Sequence, residues 1–179
     1  MLRKILILIA ALVTVSLFVS CGSDSQSKET DTPSKQPATE QATGTGGEFD
    51  FAAYDLDGTL RQSTEWVGNK PVVLNFWGTW CPPCRKEIPD LIKVYEEYQP
   101  KGVEIIGLAV RDNAGKVAQF TRQQGMNWVM LMAEVDLVAR YRVSGVPTTI
   151  FLDRQGNEIG RFIGPRDYET FRKAFDAIM

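Results

Sequence analysis

Cys81-Pro82-Pro83-Cys84 sets two thiols a helical turn apart in a chain that holds one other cysteine, Cys21, and no histidine. Without imidazole the Ser-His-Asp and Cys-His arrangements are excluded, as is nearly every zinc site that needs a histidine ligand. A second CxxC is also missing, so the pair does not read as half of a zinc site, and no metal is expected. Thiol–disulfide chemistry remains. A cysteine just before a helix has its sulfur near unpaired N–H groups and the positive end of the helix dipole, which favours thiolate over thiol. Cys81 holds that place and is the expected attacker on a substrate disulfide. Cys84, a turn further in and expected to be the more buried, then displaces the reduced substrate; the reverse sequence oxidises a dithiol. Pro82 and Pro83 fit the tight turn and the first helical position, where a missing N–H costs little. The competing reading is a purely structural disulfide, which would stabilise poorly because the loop it closes is so small. No cofactor is expected beyond the redox-active Cys81–Cys84 disulfide itself.

Two further side chains flank the pair. Glu87 lies three residues past Cys84 on the same helical face, where a shielded carboxylate accepts the Cys84 proton during resolution. The plainer reading is a glutamate that the dipole favours in the early turns of a helix. Trp80, next to the attacking cysteine, is expected on the docking surface, and Trp77 in the core.

The elements that must position these residues follow from the apolar pattern. Val72 to Trp77 is a nearly continuous apolar run and reads as a buried central strand leading into the cysteines. Ile88, Leu91, Ile92, Tyr95 and Tyr98 recur at helical spacing after them, with Pro89 expected to kink the helix. Val103 to Val110 reads as a second buried strand, followed by a helix through Val117 and Phe120 capped by Asp112 or Asn113. Trp128 to Met132 reads as a short edge strand and Val135 to Tyr141 as a short helix. Pro147 to Leu152 and Glu158 to Phe162 form a hairpin, and Tyr168, Phe171, Ala174, Phe175 and Ile178 mark a closing amphipathic helix. Upstream, Phe51 to Asp55 and Thr59 to Arg61 flank Asp57-Gly58, a hairpin-turn dipeptide. Strands alternating with helices make this an α/β domain over residues 48–179.

The first 47 residues have a different character. Arg3-Lys4, an apolar run from Ile5 to Val19 and the small Ser20 before Cys21 read as an export signal over residues 1–20. Retention of the segment as an uncleaved anchor is the alternative. Gly22 to Gly47 is Ser, Thr, Gln, Gly, Pro and charge, which cannot bury enough apolar surface to offset its ordering entropy, so residues 21–47 are expected to form a disordered tether. A formal net charge of −2 gives nucleic-acid binding no electrostatic support.

Asn75-Phe76-Trp77-Gly78-Thr79-Trp80-Cys81-Pro82-Pro83-Cys84-Arg85-Lys86-Glu87-Ile88-Pro89 resembles the active-site segment of the TlpA/ResA branch of thioredoxin-like proteins. Gly145-Val146-Pro147-Thr148-Thr149 resembles that family's cis-proline loop, and Leu17-Phe18-Val19-Ser20-Cys21 a bacterial lipoprotein box. The resemblance implies a thioredoxin-like α/β fold: a central mixed β-sheet flanked by helices on both faces, preceded by an N-terminal β-hairpin. It implies that Pro147 is cis and faces the sulfurs, that Val146 offers main-chain hydrogen bonds to an extended substrate, and that Glu87 serves the active site. It also implies a lipidated Cys21 and a monomer tethered outside the cytoplasm, in the periplasm or on the outer face of the membrane. The partners it implies are exported protein thiols or disulfides, apocytochrome c among them, with a membrane thiol transporter as electron donor and reduction as the direction. Thioredoxins proper carry a buried aspartate where this chain has Asn75, which leaves Glu87 the better proton acceptor.

Three other readings stand beside this one. Asp55-Leu56-Asp57-Gly58-Thr59 spells the first motif of haloacid-dehalogenase-type phosphatases, although the chain runs from it into the CxxC strand instead of a longer phosphatase core. A tethered binding lipoprotein with an incidental disulfide predicts that Cys84 is dispensable. A peroxiredoxin-like thiol peroxidase predicts peroxide consumption by Cys81, against which the CxxC and the lack of a peroxidatic Pro-xxx-Thr-xx-Cys spacing both count.

Overall fold

The computed structural model describes residues 48–179; the expected export signal over 1–20, Cys21 and the expected tether to residue 47 lie outside the described residues. The chain runs β1 (Ala52–Asp55), β2 (Leu60–Gln62), β3 (Val72–Trp77), α1 (Pro82–Tyr98), β4 (Glu104–Val110), α2 (Ala114–Gln124), β5 (Val129–Ala133), α3 (Val135–Arg140), β6 (Thr148–Leu152), β7 (Glu158–Ile163) and α4 (Tyr168–Ala177). Among the described residues no helix is long and apolar enough to cross a membrane.

The seven strands form one mixed sheet in the order β2-β1-β5-β4-β3-β6-β7. β3 pairs in parallel with β4 and β4 with β5, whereas β6 runs antiparallel to β3. Every residue of β3 is buried, because both faces of the strand are covered and its apolar run supplies side chains to each. Val73 and Trp77 point to a core built with α1, α2 and α4; Val72, Leu74 and Phe76 point to the opposite one. That second core is closed by the short α3 together with Phe49, Phe51 and Trp66 from the N-terminal segment. Tyr141 gathers it, with Phe49, Phe51 and Phe76 rings at centroid distances of 5.1, 6.0 and 6.2 Å. Helices therefore lie on both faces, but unequally.

One expectation needs correction. The segment around Trp128 to Met132 is not an edge strand: β1 pairs antiparallel with β5 (Tyr54 opposite Met132, Asp55 opposite Leu131), so the N-terminal hairpin extends the sheet beyond it. Apolar side chains on both faces of β5 make that placement favourable. Helix α1 continues through Pro89, which sits on the exposed side of the helix.

The hairpin also disposes of the phosphatase motif. Asp55 Oδ1 accepts from the Asp57 and Thr59 N–H groups at 3.0 and 2.9 Å, and Gly58 takes a positive φ of 82°. The first aspartate is thus engaged in closing a turn, the ordinary use of Asp and Gly at such a position.

Candidate active site

β3 ends at Trp77 and hands the chain to a loop that places Cys81 at the N-terminus of α1. Three ties fix that loop. The Thr79 N–H and hydroxyl donate to the Asp112 carboxylate at 2.6 and 3.1 Å, the Trp80 indole Nε1 donates to Val110 O at 3.0 Å, and the Cys81 N–H donates to Gly78 O at 3.1 Å. Gly78 is required here: a Cβ on it would lie 2.6 Å from Trp80 Nε1, so any other residue would push the indole off its carbonyl. Of the two candidate caps of α2, Asn113 does the capping, accepting from the Lys116 N–H, which leaves Asp112 to brace the active-site loop. Asp112→Ala is accordingly expected to destabilise the fold by about 1–2 kcal/mol, since the half-buried loop loses two charge-assisted hydrogen bonds. Urea unfolding measures this; an unchanged midpoint would show that the loop is held by other means.

Cys81 is the N-cap of α1, with extended backbone (φ −95°, ψ 105°), and its sulfur accepts from the Cys84 N–H at 3.2 Å. Pro82 and Pro83 open the helix and are exposed, as their missing N–H groups allow. Cys81 and Cys84 are joined in a disulfide, with 5.3 Å between their Cα atoms. Cys84 is fully buried, as expected, but Cys81 is only 2% exposed. An attacking sulfur at the mouth of a helix is more enclosed here than position alone suggests, because the Val146 carbonyl lies against it, 3.6 Å from Sγ.

That carbonyl belongs to the loop before β6. The Val146–Pro147 peptide is cis, and Val146 lies beyond the end of the β3–β6 ladder, whose last pair is Phe76 with Thr148. The Thr148 hydroxyl donates to Gly145 O at 2.7 Å and the Gly164 N–H to Pro147 O at 2.9 Å, which anchors the loop from both sides. Beside it runs a groove of about 450 Å³ lined by Trp80, Val110, Val135, Val138, Gly145 and Val146. Trp80 is 48% exposed at the rim of this groove, with the Arg111 guanidinium 5.8 Å from its ring centroid. The structure thus brings Trp80, Cys81, Pro82, Pro83, Val146 and Pro147 together at one end of the sheet. Trp77 fills core against Phe120, with ring centroids 5.6 Å apart.

Glu87 is buried on the inner face of α1, three residues beyond Cys84. Asn75 Nδ2 donates to its Oε1 at 3.2 Å and the Arg166 N–H to its Oε2 at 3.3 Å. Burial pushes this carboxyl up to about 7, and the Asn75 and Arg166 donors keep it from rising further. A carboxyl held near neutrality can take and release a proton at working pH. Asn75 uses its second amide hydrogen on Thr149 Oγ1 at 3.0 Å, so β3, β6 and the β7–α4 connection all orient one carboxylate. Sequence reasoning noted Asn75 only as a departure from aspartate and did not single out Thr149 or Arg166. The signal for Asn75 was a polar side chain in an otherwise apolar strand; for Arg166, whose contribution begins with a backbone N–H, there was none.

The AhpC/TSA family model matches residues 46–157. A thiol-disulfide oxidoreductase ResA of Bacillus thuringiensis (strain Al Hakam) is 36% identical over 120 residues, which cover 66% of this chain and 69% of that one. The chain belongs to the AhpC/TSA family and, within it, with the ResA thiol-disulfide oxidoreductases. Solved structures of similar shape include a thiol:disulfide interchange protein of the thioredoxin family from Chlorobium tepidum TLS, at TM-score 0.65 and 30% identity over 72% of this chain and 92% of that one. A secreted Mycobacterium tuberculosis disulfide oxidoreductase aligns at TM-score 0.64 and 27% identity over 73% of this chain and 97% of that one. The fold is therefore thioredoxin-like, and this ResA-family protein is a thiol-disulfide oxidoreductase. A binding lipoprotein with an incidental disulfide is set aside by that membership.

Proposed function

We propose that this oxidoreductase reduces disulfides of exported proteins outside the cytoplasm of a bacterium, held to the membrane by a lipid on Cys21. The observation that carries the reading is the Cys81–Cys84 disulfide at the N-terminus of α1, with Cys81 Sγ against the Val146 carbonyl of the cis-proline loop. In the reduced protein the Cys81 thiolate, favoured by the Cys84 N–H and the helix dipole, attacks one sulfur of a substrate disulfide. A mixed disulfide forms and the other substrate sulfur leaves as a thiolate. Glu87 accepts the proton of Cys84, whose thiolate attacks Cys81 Sγ; the Cys81–Cys84 bond forms and the substrate departs with two electrons. Val146 presents its main chain to an extended substrate segment, and Trp80, Pro82 and Pro83 bound the surface it crosses. Electrons return through a thiol donor in the membrane.

Support for the extracytoplasmic setting comes from the signal-like N-terminus and from the secreted M. tuberculosis relative. The reductive direction, and apocytochrome c as the substrate, rest on the ResA resemblance. A redox titration of the full chain against glutathione or dithiothreitol mixtures tests the direction. A potential below about −220 mV is expected; one near −120 mV would make the protein an oxidant instead.

A further inference from the structure

Four residues join β7 to α4, and they touch both halves of the site. The Gly164 N–H bonds the Pro147 carbonyl, and the Arg166 N–H bonds Glu87 Oε2. The Arg166 side chain folds this connection back on itself. Its guanidinium lies 5.0 Å from the Phe162 ring centroid, Nη1 donates to the Gly164 and Pro165 carbonyls at 3.2 and 2.8 Å, and Nη2 donates to the Ile163 carbonyl at 3.2 Å. Asp167 secures the far end by capping α4, accepting from the Thr170 N–H at 2.9 Å. A planar guanidinium with donors in a fixed fork can serve three carbonyls at once; a lysine ammonium on a flexible stem is poorly suited to that geometry.

We propose that Arg166 is a positioning residue for disulfide exchange: its side chain clasps the Ile163, Gly164 and Pro165 carbonyls so that its own N–H is aimed at Glu87 Oε2, holding the carboxylate in place for Cys84. The proposal rests on the reading of Glu87 as the proton acceptor. The groups around Glu87 come from every element packed on it. β3 supplies Asn75, with Thr149 of β6 behind it; α1 supplies Lys86, Asp90 and the neighbouring Cys84; the β7–α4 connection supplies Arg166 and Asp167. A small cavity of about 180 Å³, lined by Lys86, Glu87, Asp90, Pro165, Arg166 and Asp167, opens beside the carboxylate on this side. Arg166 acts on Glu87 twice, through its N–H and through its charge, and both favour the ionised form. Loss of the clasp therefore raises the proton affinity of Glu87.

The test follows the rate at which the reduced full chain reacts with oxidised glutathione as pH is varied. Wild type, Arg166→Ala, Arg166→Lys, Glu87→Gln and the Glu87→Gln/Arg166→Ala double variant are compared, with thermal unfolding to confirm that each is folded. Wild type is expected to show a limb near pH 7 that Glu87→Gln removes. Arg166→Ala is expected to move that limb upward by about one pH unit, and Arg166→Lys, which keeps the charge but not the fork, to move it upward by less. In the double variant the Arg166 change is expected to have no further effect on it. An unmoved limb in Arg166→Ala, with Glu87→Gln still removing it, would overturn the clasp and leave the Glu87 reading standing. Full recovery in Arg166→Lys would also overturn it, since charge alone would then suffice. Persistence of the limb in Glu87→Gln would overturn both. If the alanine variant does not fold, Arg166→Lys carries the test alone.

Discussion

Cys84→Ser is expected to turn the protein from a catalyst of exchange into a trap that stays joined to its substrate through Cys81. Cys84 is fully buried one turn inside α1 and disulfide-bonded to Cys81, so nothing else among the described residues is placed to displace a bound substrate sulfur. A serine hydroxyl cannot do so, being far too weak a nucleophile at neutral pH. Multiple-turnover exchange should fall by at least about 10³-fold, while the first attack by Cys81 survives. Non-reducing electrophoresis would then show adducts that dithiothreitol dissolves and that the Cys81→Ser/Cys84→Ser double variant never forms. Turnover at the wild-type rate in Cys84→Ser would remove the basis of the mechanism. Efficient peroxide consumption by that variant, without adducts to proteins, would point to a thiol peroxidase.

The second large effect belongs to Glu87 and has opposite signs in activity and stability. The folded protein holds the Glu87 proton up to about pH 7, against 4.5 for an ordinary glutamate. Between those values the folded state binds more protons at Glu87 than the unfolded one, so the Glu87 contribution to stability is fully present below about pH 4.5 and is lost as pH rises through 7. The contribution lost across that window is about 3 kcal/mol. Glu87→Gln removes the ionisation and is expected to flatten the dependence, leaving the variant more stable than wild type by about 1–3 kcal/mol at pH 8. The lower figure allows for an amide that meets the Arg166 N–H with a donor of its own. Exchange, in contrast, should slow by about 10²-fold near neutrality, the usual scale for losing a positioned acid–base group. Urea unfolding of the oxidised protein at pH 5 and pH 8 reads the first effect, and stopped-flow exchange rates read the second. A variant no more stable than wild type at pH 8 would show that the carboxylate is not held at a cost to the fold.

The two effects together describe a site that keeps a carboxyl out of water for the sake of its proton affinity. One strand and one connection, β3 and the β7–α4 segment, supply its partners, and neither is adjacent to it in the chain. This is why the Glu87 environment depends on β3, β6 and the β7–α4 connection being packed together.

Much of this was legible before folding. Cys81-Pro82-Pro83-Cys84 between an apolar strand run and a helical repeat located the reacting pair, and the lack of histidine narrowed the chemistry to thiols and carboxylates. Local pattern determined these features, because strand burial, helix periodicity and the dipole at a helix N-terminus all operate within a few residues of sequence. Tertiary structure decided the rest. It set β5 inside the sheet instead of at its edge, since pairing with β1 is a long-range choice that neither strand announces. It assigned Asp112 to the active-site loop and Asn113 to the cap, although either could have capped α2. It enclosed Cys81 behind the Val146 carbonyl and surrounded Glu87 with Asn75 and the Arg166 N–H, contacts that join positions far apart in the chain. Sequence by itself determined which atoms can react; only the packed sheet decided how much water reaches them and where their protons go, because desolvation and hydrogen-bond geometry are properties of neighbours that the chain brings together only when folded.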